Sequence, residues 1–144
     1  SISQLVASLI PGIDINNFQL TNKKKEIGST DVDIDSSAEL QFDKKFICII
    51  AASFKKNLGK RTKIIGEEGE ILIENTWLGN PSTIKIKEKK NYEINTKIND
   101  NIFSYEIKNI SQSILMKKKE PDYPGMSLAE TILNMKILEE WLND

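Results

Sequence analysis

From about residue 13 to residue 97, apolar positions come in short runs that mostly alternate with polar ones, the two-residue period of β-strands. Asn17–Thr21 is one short alternating run, and 23–30 is polar and reads as a turn-rich connection. In 35–42 the residues Ala38, Leu40 and Phe42 share one face, and Asp43-Lys44-Lys45 reads as a hairpin turn. Residues 46–54 are apolar nearly throughout, which predicts a central strand covered on both faces. Ile47, Ile49 and Ala51 then face one side, and Phe46, Cys48, Ile50 and Ala52 the other. One side is expected to meet helices at 102–116 and 127–142, the other a partner surface.

Arg61–Ile65 and Glu70–Glu74 are strands of a hairpin around Gly66-Glu67-Glu68-Gly69, with glycine expected to supply positive φ. Ser82–Lys87 and Tyr92–Lys97 alternate and read as half-exposed strands. The period then lengthens. Phe103, Glu106/Ile107, Ile110 and Ile114 recur at helical spacing over 101–116, and the lysines 117–119 suit a helix C-terminus. After the Pro-rich loop 120–125, Ser127 and Glu130 form a capping-box pattern. The helix behind it presents Leu128, Ile132, Met135, Leu138/Glu139 and Leu142 on one face, with Ile137 and Trp141 alongside. Residues 1–10 read as a helix with Ile2, Leu5 and Leu9 on one face, ended by Pro11-Gly12. A helix without its first turn suggests a chain cut from a longer protein. The fold class is α+β: an open, mainly antiparallel sheet of about six to eight strands with helices on one face, in a single domain over 1–144.

Composition removes options. Twenty basic and 21 acidic residues leave a net charge of −1, so no whole-chain electrostatic case for nucleic acid exists. With no histidine, triads and metal sites built on imidazole are excluded within the chain. The lone Cys48 excludes an internal disulfide and reads as a small core residue with a raised pKa. No apolar run reaches the ~18 residues that span a bilayer, and no basic leader precedes an apolar run.

Other features read as bland. Glu67, Glu68 and Glu70 form a solvated turn rather than a cation site. Asp31, Asp33 and Asp35 resemble the start of a calcium loop, but the required glycine is missing and Phe42 stands where the bidentate glutamate belongs. No phosphate-cradling glycine motif is present. Arg61 holds a carboxylate, bridges an interface or simply lies at the surface. No catalytic residue and no metal site is assigned to this chain.

Taken together, several segments resemble a known pattern. They are Ala38-Glu39-Leu40-Gln41-Phe42-Asp43 leading into Ala51-Ala52-Ser53-Phe54, then Ile64-Ile65-Gly66-Glu67-Glu68-Gly69-Glu70-Ile71-Leu72-Ile73. Asn101-x-Phe103-x-x-Glu106-Ile107-x-x-Ile110-x-x-x-Ile114, Tyr123-Pro124 and Leu128-x-Glu130-x-x-x-Asn134-Met135 follow in order. This resembles the C-terminal domain of the glucose–fructose oxidoreductase/inositol dehydrogenase/rhizopine catabolism family, on the branch of pentose dehydrogenases and dimeric dihydrodiol dehydrogenases.

The resemblance implies a substrate-binding and oligomerisation domain whose Rossmann partner domain, with the catalytic lysine of a Glu-Lys-Pro motif, is missing from this chain. Lys119-Glu120-Pro121 has the wrong order and place to be that motif. A second acid/base group of the branch, in a Gly-x-Tyr-Pro-type segment, would fall just ahead of Ile2-Ser3. No cofactor is implied in this chain, and NAD or NADP in the full-length protein. The implied partners are the Rossmann domain, a second copy through the open sheet face, and a sugar or diol, with neither nucleic acid nor membrane. The expected location is cytoplasmic. By position, the substrate-pocket candidates are Trp77 on one side and Tyr123, Pro124 and Met126 on the other. The alternative is a stand-alone α+β binding or scaffold module without enzymatic activity.

Overall fold

The computed structural model describes residues 2–77 and 79–143. Ser1, where the sequence reading begins its first helix, lies outside the described residues. The elements are α1 (Ile2–Ser8), β1 (Phe18–Ile27), β2 (Asp33–Phe42), β3 (Phe46–Ser53), β4 (Thr62–Ile65), β5 (Glu70–Ile73), β6 (Thr83–Lys87), β7 (Asn91–Asn95), α2 (Ile102–Leu115) and α3 (Leu128–Leu142). Among the described residues, seven antiparallel strands and three helices make an α+β fold. The strands divide between a three-stranded sheet, β1-β2-β3, and a four-stranded sheet, β4-β5-β6-β7. The chain forms two compact units: Ser1–Leu58 with Met126–Asp144, and Gly59–Gly125.

The first unit holds the core. Ala7 of α1, Leu20 of β1, Ala38, Leu40 and Phe42 of β2, and Leu133 and Ile137 of α3 are buried together. Strand β2 is central, and its strict alternation sends Ala38, Leu40 and Phe42 inward. Phe42 stacks on Phe46 at 6.4 Å between ring centroids, across a hairpin in which Asp43 and Lys44 take positive φ. Strand β1 runs on through Lys23-Lys24-Lys25, where the sequence reads a turn. Its ladder with Asp33–Ser37 of β2 satisfies the backbone there, so an exposed strand needs no apolar face. Register shifts after Thr21 and Glu26, with Asn22 at φ 52°, mark bulges along it.

Strand β3 overturns one expectation. Its two faces separate as read, but it lies at the edge of its sheet, and only one face is covered. Phe46, Cys48 and Ile50 pack on the core, whereas Ile47 and Ile49 are exposed by 56% and 83%. The helices on the covered face are α1 and α3; α2 belongs to the second unit.

Both terminal helices also turn differently from the reading. In α1 the buried residues are Ser3, Gln4 and Ala7, and Leu9 is exposed. In α3 the inward stripe is Leu133, Ile137 and Trp141, while Leu128, Ile132, Met135, Leu138 and Leu142 face outward. The two stripes lie on opposite sides of the helix, so periodicity alone does not choose between them. The capping box holds: Ser127 Oγ accepts from the Glu130 N–H at 3.2 Å, and Glu130 Oε2 accepts from the Ser127 N–H at 2.8 Å. At the other end Lys23 Nζ donates to the carbonyls of Glu140 and Asn143, and Lys25 Nζ to that of Leu142. Two lysines of β1 thus complement a helix end that has no basic residue in its own last turn.

In the second unit one sheet face carries Ile64, Ile71, Ile73, Ile84 and Ile86, with Tyr92 and Ile94 exposed beside them. None of these is fully buried. The turn Gly66–Gly69 closes by a backbone bond of 2.9 Å, but neither glycine has positive φ. Gly69 is needed for another reason: a Cβ there would stand 2.1 Å from the Lys87 carbonyl oxygen. Helix α2 is capped by the Asn101 side chain, and Phe103, Ile107, Ile110 and Ile114 lie exposed on it.

Candidate functional site

Trp77 follows β5 in the loop that leads to β6, and its side chain is 60% exposed. The loop start is tied down: the Thr76 N–H donates to the Lys60 carbonyl at 2.9 Å, and the Asn75 N–H to Ser82 Oγ at 2.9 Å. Thr62 Oγ1, Asn75 Oδ1 and Thr76 Oγ1 are buried nearby without a hydrogen-bond partner. They are closed off from solvent, so they suit enclosed water rather than a ligand arriving from outside.

Tyr123 and Pro124 occupy the loop between α2 and α3, joined by a cis peptide bond. The Gly125 N–H donates to the Asp122 carbonyl at 2.8 Å. The same carbonyl accepts from Asn109 Nδ2 of α2 at 3.1 Å, and Lys118 Nζ binds the Asp122 carboxylate. The loop is therefore held at its base while Tyr123, 73% exposed, projects from it. Met126, 43% exposed, belongs to the first unit, whereas Trp77, Tyr123 and Pro124 belong to the second. Neither Trp77 nor Tyr123 takes part in the ring stacking found among the described residues. Trp77 and Tyr123 each stand exposed in a loop of the second unit, and Met126 opens the segment that returns to the first.

Charged groups on both sheets pair with one another. On the four-stranded sheet, Glu74 bridges Arg61 at 2.6 Å and Lys85 at 2.9 Å, and Glu70 bridges Lys63 at 2.6 Å and Lys87 at 2.8 Å. Arg61 thus holds a carboxylate of its own sheet. The two lysines pull the Glu70 carboxyl down to about 2. On the three-stranded sheet a shallow depression of about 260 Å³ lies among Lys24, Glu26, Asp35 and Lys56. Its carboxylates are already spoken for: Glu26 pairs with Lys55 at 2.6 Å and Asp35 with Lys56 at 2.5 Å. Sequence reasoning did not foresee these pairs, because they depend on cross-strand register. Burial raises the Cys48 pKa, as the sequence suggests, against a smaller opposing hydrogen bond with Ser3. Among the described residues no group of acidic and sulfur side chains is arranged to hold a metal ion. No described helix is long and apolar enough to cross a membrane.

No family model matches the chain, and no curated protein does. Among solved structures, the aldose–aldose oxidoreductase from Caulobacter crescentus, complexed with glycerol, is similar at 13% identity with a TM-score of 0.65. The likeness covers 85% of this chain and 37% of that one, so the chain spans well under half the length of its structural neighbour. At this identity the likeness speaks to fold, and the fold is α+β, of the kind expected for a dehydrogenase C-terminal domain.

Proposed function

We propose that this chain is the C-terminal substrate-binding and dimerisation domain of an NAD(P)-dependent oxidoreductase acting on a sugar or diol hydroxyl, and that it is catalytically incomplete by itself. The observation that carries this reading is the fold likeness, over 85% of the chain, to an oxidoreductase solved with glycerol, a polyol. The order of sequence motifs from Ala38 to Met135 supports the family of glucose–fructose oxidoreductase and its relatives.

The residues present do not fit a dinucleotide. That cofactor needs a parallel β-α-β unit with a glycine-rich turn at the helix start. Every strand pair described here is antiparallel. This supports placing NAD(P), and the catalytic lysine with it, on a Rossmann domain outside the chain. What this chain contributes is the pocket wall. The Trp77 indole suits the apolar face of a sugar ring, and Tyr123 and Pro124 form a loop anchored at its base.

Saturation-transfer NMR on the 144-residue chain tests the reading, with glycerol, aldoses and NADP as probes. A polyol signal that falls in Trp77→Ala, with no signal from NADP, is the expected result. Saturation of NADP overturns the assignment of the cofactor to another domain. Silence toward every polyol favours a scaffold module.

A further inference from the structure

The turn that carries Tyr123 is closed and moored at one atom. The Asp122 carbonyl oxygen accepts the Gly125 N–H at 2.8 Å, which closes the turn, and Asn109 Nδ2 of α2 at 3.1 Å, which fixes the turn to the helix. A carbonyl oxygen has two lone pairs, and both are used. Gly125 also closes down on Pro121: a Cβ there would stand 2.8 Å from the Pro121 Cβ and 2.9 Å from the Asp122 oxygen. Pro121 to Gly125 therefore move as one body, with Tyr123 and Pro124 at its corners. Asn109 and Lys118 tie that body to α2 and the residues just beyond it.

The two ties are unequal. The side chains of the Lys118–Asp122 ion pair are 40% and 63% exposed, so water and salt weaken it. Asn109 is half-buried. Since a carbonyl only accepts, the amide nitrogen of Asn109 must face Asp122. This turns Oδ1 the other way, where it is buried with no hydrogen-bond partner. An acceptor left in that state costs about as much as the bond on the other side of the amide contributes. Asn109 thus adds little to the stability of the second unit. What it adds is direction, because it fixes the turn from which Tyr123 projects.

We infer that Asn109 is a positioning residue: through the Asp122 carbonyl it sets where the Tyr123 ring stands, and so how that ring meets a sugar or diol. The ligand part rests on the proposed function. The geometry rests on the second unit alone, which holds Asn109, Lys118 and the whole turn. A side chain that keeps a buried acceptor unpaired while holding a neighbouring loop in place gives up stability for placement.

Amide exchange and polyol titration on the 144-residue chain test this. Asn109→Leu removes the donor and the stranded acceptor together at similar volume, and leucine favours a helix. Exchange at the Gly125 N–H is expected to quicken about twofold to tenfold, the loss of one hydrogen bond, while β4–β7 and the melting temperature hold. Lys118→Met should change that rate by less. The affinity for glycerol or an aldose, from saturation-transfer titration, should fall as far as in Tyr123→Ala, and the double variant should fall no further. Asn109→Asp keeps the shape but sets an acceptor against the carbonyl, and should act in the same way. Unchanged Gly125 exchange in both Asn109 variants, or a larger change in Lys118→Met, overturns the mooring by Asn109 whether or not a ligand binds. A drop in melting temperature with general loosening of β4–β7 makes Asn109 structural and overturns its positioning role. So do affinity losses that simply add in the double variant. A wild-type chain silent toward every polyol overturns the proposed function, and the positioning role with it, whereas quickened Gly125 exchange would still establish the mooring.

Discussion

Glu70 shows how much one side chain takes from its register. Opposite Ile65 on one side and Lys87 on the other, it receives Lys63 and Lys87 on its two oxygens. Those lysines stabilise the charged carboxylate and lower its pKa from 4.5 to about 2. A carboxyl with a depressed folded pKa contributes stability that is fully present above its unfolded value and is lost as protons return. Thermal stability is therefore expected to fall as pH drops from about 4.5 toward 2, and Glu70→Gln should flatten that part of the profile. Melting curves across that window, followed by circular dichroism, check it. An unchanged profile in the variant would show that Glu70 contributes nothing to the acid limb. The bridge was not legible in the sequence, where Glu67, Glu68 and Glu70 look equivalent. Only pairing with β4 and β6 separates Glu70 from its neighbours.

At the scale of elements, local chemistry was legible and orientation was not. Ser127 and Glu130 announce the start of α3, and both bonds of the capping box form. Ser127→Ala should cost about 1 kcal/mol of stability, whereas Ser127→Asp should recover most of it; urea titration reads both. Equal losses in the two variants would mean that the cap is not what Ser127 supplies. The hairpin turn at Asp43-Lys44 was legible for the same reason, being a local preference. The buried side of α3 was not, since Leu133-Ile137-Trp141 and Leu128-Ile132-Met135-Leu142 are both apolar. Choosing between them requires knowing what Leu20 and Leu40 leave uncovered. Strand β3 misled in a related way: apolar residues on both faces suggest cover on both, yet its outer face is open.

For the whole molecule, the class of fold could be read from the change of period near residue 100, and the division into two sheets could not. The loop that carries Tyr123 was legible from its prolines, whereas Trp77 and Tyr123 became pocket candidates only through the family resemblance. Under the proposed function, their approach to a ligand would depend on a Rossmann domain outside this chain. In a full-length enzyme carrying this domain, Trp77→Ala and Tyr123→Ala are expected to raise KM for a sugar or diol by more than they lower kcat. Side chains that position substrate without touching the transferred hydride behave this way. Steady-state kinetics on several sugars and diols decide it, and an unchanged KM throughout would return both residues to a purely structural role.

The first unit is made of both ends of the chain, with Gly59–Gly125 between them. This sets an order of events during synthesis. The hairpins of β1, β2 and β3 leave the ribosome before α3, carrying Leu20, Ala38, Leu40 and Phe42 on a face that α3 has yet to cover. Leu133 and Ile137 emerge only after the second unit, and so do the carbonyls of Glu140 and Leu142 to which Lys23 and Lys25 donate. A nascent chain must therefore carry an open apolar face through the making of the whole second unit. Transiently exposed apolar surface of this kind makes a folding intermediate prone to aggregate. Lengthening the intervening segment, by contrast, adds only about 0.6 kcal/mol of closure entropy per doubling. Translation time, more than chain entropy, is what the discontinuous first unit puts at stake.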